Sequence, residues 1–201
     1  MNERAFRRAV RAAMLSLGLA LAACNAAGPA EAPPLEGARI GGPFTLTDQN
    51  GRQVSDRDLA GKWRVMYFGY TFCPDVCPVD MANITAGLKA FEKTDPERAA
   101  RVVPVFVTVD PQRDDPAALK QFVSNFHPRT IALTGDPQTI AAVGKAFAIY
   151  AARTDGATPG SYLMDHSRQV YLMDDQGRPI ALVPADESGQ AVADTLDKWV
   201  Q

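Results

Sequence analysis

Histidine, cysteine and tryptophan are all scarce in this chain: two, three and two among 201 residues. A closed zinc site of two cysteines and two histidines would consume both histidines, His127 and His166, whose sequence settings are dissimilar, so that chemistry is set aside. Excess charge of either sign is also missing. The formal net charge is −2, which gives no basic surface for nucleic acid. No internal repeat is visible. The N-terminal apolar run, residues 12–23, is about a dozen residues long, short of the roughly 20 that a membrane-spanning helix needs. Length and composition suit one globular domain with a terminal extension.

The extension reads as an export address. Arg4, Arg7, Arg8 and Arg11 precede the apolar run, which closes on Leu21, Ala22, Ala23 and Cys24. That order resembles a bacterial lipoprotein signal: residues 1–23 are removed and Cys24 carries lipid. The alternatives are an ordinary secretory signal or an uncleaved anchor with Cys24 incidental. The Arg7-Arg8 pair suggests twin-arginine export, but its surroundings match poorly. All versions place the domain outside the cytoplasm, at the periplasmic face of a bacterial envelope. Removing four arginines and one glutamate leaves a net charge of about −5, still no invitation to a polyanion. Residues 24–43 are rich in Ala, Pro and Gly and read as a flexible tether. Two cysteines then remain, Cys73 and Cys77, in a compartment where disulfides persist.

The folded domain is expected over residues 44–201. Residues 44–54 show alternation, a turn at Asp48 to Gly51, and alternation again, a hairpin signal. A short helical turn follows at residues 55–59. Residues 63–69 and 102–109 are mostly apolar, as strands buried on both faces are. Between them, residues 79–93 place Met81, Ile84, Leu88 and Phe91 on one helical face. Asp114 or Asp115 is the expected cap of a helix over 116–126, and Asp136 with Pro137 opens another that runs to about Phe147. Residues 130–133, 162–164, 169–173 and 179–183 are strand-like, and a last amphipathic helix begins at Asp186-Glu187. The pattern is α/β: a thioredoxin-like three-layer sandwich with an N-terminal β-hairpin and a C-terminal β-hairpin plus helix.

The chemistry gathers at Cys73 and Cys77. A crosslink over so short a loop removes little unfolded-chain entropy, so a structural disulfide is a weak use of this spacing. Pro78 marks the expected helix start, with Cys77 at the N-cap, where exposed N–H groups and the helix dipole favour a thiolate. Such a pair cycles between dithiol and disulfide or binds a soft metal. Two thiolates suit copper(I), and an added imidazole also accommodates copper(II). His166, between two strand-like runs, is the candidate third ligand; the alternative for any lone histidine is a solvated or hydrogen-bonded side chain. His127, at a helix end, fits that alternative.

The run YFGYTFCPDVCP from Tyr67 to Pro78, Val107 to Asp114, Leu133 to Gly135 and Asp165-His166-Ser167 stand in the order found in the Sco/SenC proteins. The chain resembles that family from about Phe44 to its C-terminus. The resemblance implies a thioredoxin fold, copper held by Cys73, Cys77 and His166, and a part in assembling the binuclear copper site of cytochrome c oxidase subunit II or a related copper enzyme. It implies an upstream copper donor and a thiol reductant as further partners. Asp75 and Asp110 fall on family positions without being read as ligands. Asp75 is expected to tune the loop or meet a partner, and Asp110 to cap a strand. Asp165 is the candidate for orienting His166, beside the alternative of a solvated aspartate. Many members use a transmembrane helix, whereas this chain carries a lipoprotein-like anchor.

Three rivals stand beside this reading. A thiol–disulfide oxidoreductase would use the same two thiols and keep target cysteines reduced, but gives His166 no task. A thiol peroxidase would want threonine where Tyr70 stands. A lipid-anchored binding module with a structural disulfide would be indifferent to His166. Phe72, Val76 and Tyr70 are candidates for an apolar docking rim, or for core.

Overall fold

The computed structural model describes residues 31–156, 158 and 160–201. The expected signal peptide and Cys24 lie outside the described residues. The centre of the fold is a seven-stranded sheet whose two middle strands, β3 (Trp63–Gly69) and β4 (Val102–Thr108), are buried at every position. They pair in parallel over their whole length, Trp63 opposite Val102 through Gly69 opposite Thr108. Continuous apolar runs are what strands covered on both faces require.

β1 (Thr45–Asp48) and β2 (Gln53–Ser55) form the expected hairpin, followed by a 3-10 turn at Asp56–Leu59. β5 (Ile131–Thr134) runs parallel to β4, while β8 (Val170–Met173) and β9 (Pro179–Leu182) close the other side antiparallel. The resulting order is β2-β1-β5-β4-β3-β8-β9. Two strand turns share one device. In both, an aspartate carboxylate (Asp48, Asp174) accepts the backbone N–H of the residues two and four later, and Gly51 or Gly177 takes the positive φ.

The helices are α1 (Val76–Thr94), the short α2 (Pro96–Ala99), α3 (Pro116–Val123), α4 (Pro137–Ala146) and α5 (Gly189–Trp199). Asp115 caps α3 by accepting from the Ala118 N–H, and Asp136 caps α4 by accepting from Gln138 and Thr139. Proline follows each cap, where its missing N–H costs nothing. Asp114, the other cap candidate, is buried and accepts from Thr71 in the loop after β3 instead. α5 starts three residues later than expected, because Ser188 supplies the cap to Ala191 N–H. α1 and α5 pack on one face of the sheet, so closely that a methyl at Gly87 would sit 2.5 Å from Val192.

Two further features of the architecture depart from the sequence reading. The packed unit begins at Pro33, ahead of the expected boundary at Phe44. Leu35 N–H donates to Ile180 O, Gly41 N–H donates to Ala146 O, and Leu35 and Ile40 pack on the core. A second, two-stranded sheet also departs from that reading: β7 (Tyr162–His166), strand-like by sequence at 162–164, pairs antiparallel with β6 (Ala151–Asp155), for which the sequence carries no strand signal. No helix among the described residues is long and apolar enough to cross a membrane.

Candidate metal centre

β3 ends at Gly69 and hands the chain to the loop that carries Cys73. Cys73 N–H donates to Tyr70 O at 3.3 Å, closing a turn. Thr71 is fastened to the end of β4: the Asp114 carboxylate accepts from Thr71 N–H (3.0 Å), from the Thr71 hydroxyl (2.6 Å) and from the Thr108 hydroxyl (2.7 Å). These three donors position the loop, and burial still pushes the Asp114 carboxyl above its ordinary pKa.

The helix start differs from the expectation. Asp75, not Cys77, is the N-cap of α1, and it makes no side-chain cap hydrogen bond. Cys77 therefore lies in the first turn with Pro78 behind it. The first helical N–H groups have no partner within the helix, so proline is tolerated there as well as at the first position. This geometry turns Cys77 inward. Its residue is fully buried while Cys73 is half-buried, and both thiols are free. Burial pushes the Cys77 thiol up to about 12, against the opposing pull of the Tyr70 backbone and the Tyr67 hydroxyl. Without metal, desolvation outweighs the helix terminus that was expected to favour the thiolate.

His166 arrives from the opposite direction, as the last residue of β7. Its Nδ1 lies 2.8 Å from Ser167 O, an atom that only accepts, so Nδ1 carries the proton and Nε2 presents a lone pair. Nε2 is 3.5 Å from Cys77 Sγ. Tyr70 meets the imidazole edge-on, ring centres 5.9 Å apart. The Cys73, Cys77 and His166 donor atoms all fall within 4.8 Å of one another, the one such group among the described residues. A metal with bonds of about 2.0–2.3 Å spans donors up to roughly 4.6 Å apart, so a small side-chain movement brings all three into reach. Two sulfurs and one nitrogen are a soft set suited to copper(I), with the imidazole accommodating copper(II).

The remaining candidates take other roles. Asp165 is exposed on the opposite side of β7 from His166, and the Ser167 carbonyl does the orienting that had been considered for it. Asp75 is exposed. Asp110 is buried, receives the Tyr162 hydroxyl at 2.9 Å and pairs with Arg113. Arg113 also donates to Tyr162 O and lies 3.6 Å over the Tyr162 ring, which fastens the β6–β7 hairpin to the end of β4. His127 is buried and held by Glu92 and the Arg129 N–H, away from the cysteines. Of the rim residues, Tyr70 belongs to the core and Val76 is half-buried, whereas Phe72 is exposed.

Sequence reasoning missed one cluster. The Asp80 carboxylate, fully buried three residues after Cys77, accepts from the Tyr67 hydroxyl and is gripped by both Nε and Nη2 of Arg168. No spacing signal in the chain announces it.

The family model described as SCO1/SenC matches residues 32–201. The chain is 41% identical over 143 residues to "Protein SCO1 homolog 1, mitochondrial" of Arabidopsis thaliana, 71% of this chain and 42% of that protein. It therefore spans less than half the length of that relative. It is 40% identical over 159 residues to "Protein SenC" of Rhodobacter capsulatus, 79% of this chain and 70% of that one. The solved structure of Bradyrhizobium japonicum ScoI with copper bound superposes with a TM-score of 0.71 at 41% identity, over 80% of this chain and 99% of that one.

Proposed function

The chain belongs to the SCO1/SenC family, and from that membership we propose that it is an extracytoplasmic copper metallochaperone. It takes one copper ion as cargo on Cys73, Cys77 and His166 and passes it to the binuclear copper site of cytochrome c oxidase subunit II or a related copper enzyme. The carrying observation is the convergence of three soft donors, delivered by separate elements, within 4.8 Å. The copper-bound Bradyrhizobium relative supports the choice of metal. Half-burial of Cys73 and the imidazole leaves an approach for ligand exchange with a partner. Lipid on Cys24 and a tether beginning at residue 24 would hold the domain at the periplasmic face of the envelope, within reach of a membrane-bound target.

The test is copper stoichiometry on the reduced purified protein, beside Cys73→Ser, Cys77→Ser and His166→Ala. One copper per chain, with thiolate-to-copper(II) charge-transfer absorption lost or strongly weakened in each variant, is the expected result. Absence of copper uptake by the wild type sinks the proposal. Mass spectrometry of the envelope-extracted protein tests the anchor, which requires a lipid mass on an N-terminal Cys24.

A second reading is favoured by the contrast between half-buried Cys73 and fully buried Cys77. That is the arrangement of an attacking and a resolving thiol. The Cys73 thiolate attacks a partner disulfide and forms a mixed disulfide, releasing one partner thiol. Cys77 then displaces the second, leaving Cys73–Cys77 oxidised until an external dithiol reductant restores it. Reduction of a target disulfide at wild-type rate by His166→Ala would support this activity as separate from copper carriage.

A further inference from the structure

Between His166, which ends β7, and Val170, which begins β8, three residues cross from the small sheet to the large one. The small sheet fixes His166 against β6, opposite Ala151, and Ser167 N–H donates to Tyr150 O. Neither contact relates the imidazole to α1, where Cys77 lies. Among the described residues, two polar side-chain contacts join this crossing to α1: His166 to Cys77 itself, and Arg168 to Asp80.

The second contact is far the stronger. Arg168 Nε and Nη2 reach Asp80 Oδ2 and Oδ1 at 2.9 and 2.7 Å, a bidentate grip with fixed relative orientation. Asp80 lies three residues beyond Cys77 and hence on the same face of the helix. Its Oδ2 also accepts the Tyr67 hydroxyl at 2.9 Å, and Tyr67 pairs with Val170 where β8 joins β3. One carboxylate thus ties together the strand that leads into the cysteine loop, the helix that carries Cys77 and the segment that leaves His166. Asp80 is enclosed while Arg168 keeps 40% of its side chain exposed, so desolvation of the carboxylate and solvent screening of the guanidinium offset much of the attraction, and the pair contributes little net stability. Its directional geometry is what apolar packing would not supply.

We propose that Asp80 and Arg168 are positioning residues of the metal centre, setting where the His166 imidazole meets the dithiol. The inference rests on the copper-carrying reading and extends it to two residues that touch no metal.

The test compares Arg168→Met, Arg168→Lys and the double variant Asp80→Asn/Arg168→Met, which orphans no buried carboxylate. Two readouts are used on the purified protein. With copper(II), the charge-transfer band, the hyperfine splitting and the rate of copper loss to a chelator are measured. In the metal-free protein, ¹⁵N chemical shifts report the His166 tautomer. The double variant is expected to shift the band and the splitting, lose copper at least about tenfold faster and mix the two imidazole tautomers. Arg168→Lys, which keeps the charge without the fork, is expected to fall between. A double variant with wild-type spectra, loss rate and tautomer overturns the inference. If it does not fold, Arg168→Lys decides alone, and wild-type values there overturn it. If the wild type takes up no copper, the copper reading fails, and the metal-free tautomer still decides whether the pair positions His166.

Discussion

A methyl group added at Gly69 would stand 3.0 Å from the Cys77 sulfur. The last residue of β3 is glycine because a metal-ligand candidate packs against its α-carbon, with Phe106 and Tyr67 at 3.1 and 3.2 Å from the same point. Backbone conformation is not the constraint, since Gly69 is absent from the positive-φ residues.

Gly69→Ala is therefore expected to act on the site as well as on stability. Overpacking at a buried position costs about 1–3 kcal/mol, and the sulfur is the neighbour that must give way alongside two rings. The copper(II) charge-transfer band should move or weaken while circular dichroism stays native. An unchanged band with only a lower unfolding midpoint would show that the rings absorb the methyl and the sulfur does not.

The two thiols should differ in reactivity. Cys73 is half-buried, whereas Cys77 is enclosed and its thiol is pushed up to about 12 by that burial. Since the thiolate is the nucleophile, iodoacetamide at neutral pH should label Cys73 at least about tenfold faster than Cys77 in the reduced, metal-free protein. Peptide mass spectrometry against time reads the ratio. Equal rates, persisting when Cys73 is replaced by serine, would mean that Cys77 is far more accessible than its burial implies.

The parts of the fold that announce themselves are those whose physics is local. β3 and β4 are legible because strands covered on both faces need mostly apolar runs, and α3 and α4 because an aspartate cap followed by proline has few other uses. β6 is opaque for the converse reason: Ala151 to Asp155 is mostly exposed, presents no apolar face and owes its extended form to β7. At the site, spacing alone pairs Cys73 with Cys77; the scarcity of histidine and strand-like flanks make His166 a candidate, and only the family resemblance turns it into an expected ligand, since a lone histidine carries no local signal. Asp80 and Arg168 are 88 residues apart, and nothing in the sequence singles out either one. Only the tertiary fold makes them partners. The start of α1 lies two residues ahead of the expected one, with Asp75 rather than Cys77 as the N-cap, because proline is acceptable anywhere among the first unpaired N–H groups.

Asp114 should behave as the fastener of the cysteine loop. Its carboxylate satisfies the part-buried Thr71 N–H and the hydroxyls of Thr71 and Thr108. Asp114→Ala leaves those donors without a partner, at a cost of about 1–3 kcal/mol, and should speed hydrogen exchange at the Thr71 amide. Asp114→Asn retains one acceptor oxygen, and a threonine hydroxyl turns to accept from the new amide, so most of the loss should be recovered. If both variants exchange Thr71 at the wild-type rate, the loop is held by something other than this carboxylate.

His127 supplies the pH dependence. Its ring is buried between α1 and the segment after α3, with Nε2 3.2 Å from Glu92 and Nδ1 accepting the Arg129 N–H. Burial holds its pKa below the ordinary value of 6.5; Glu92 pulls upward, while Arg129 and Lys89 push further down. The folded state therefore binds a proton less readily than the unfolded chain. Above about pH 6.5 neither state is protonated at this site and its contribution to stability is complete. As the pH falls below that value the unfolded chain gains a proton the native state refuses, and stability drops until the folded pKa is passed. Urea midpoints at pH 7.5 and 5.5 should fall more for the wild type than for His127→Gln, which keeps an amide near Glu92 but does not titrate. Parallel losses in the two proteins would assign the acid sensitivity to other groups.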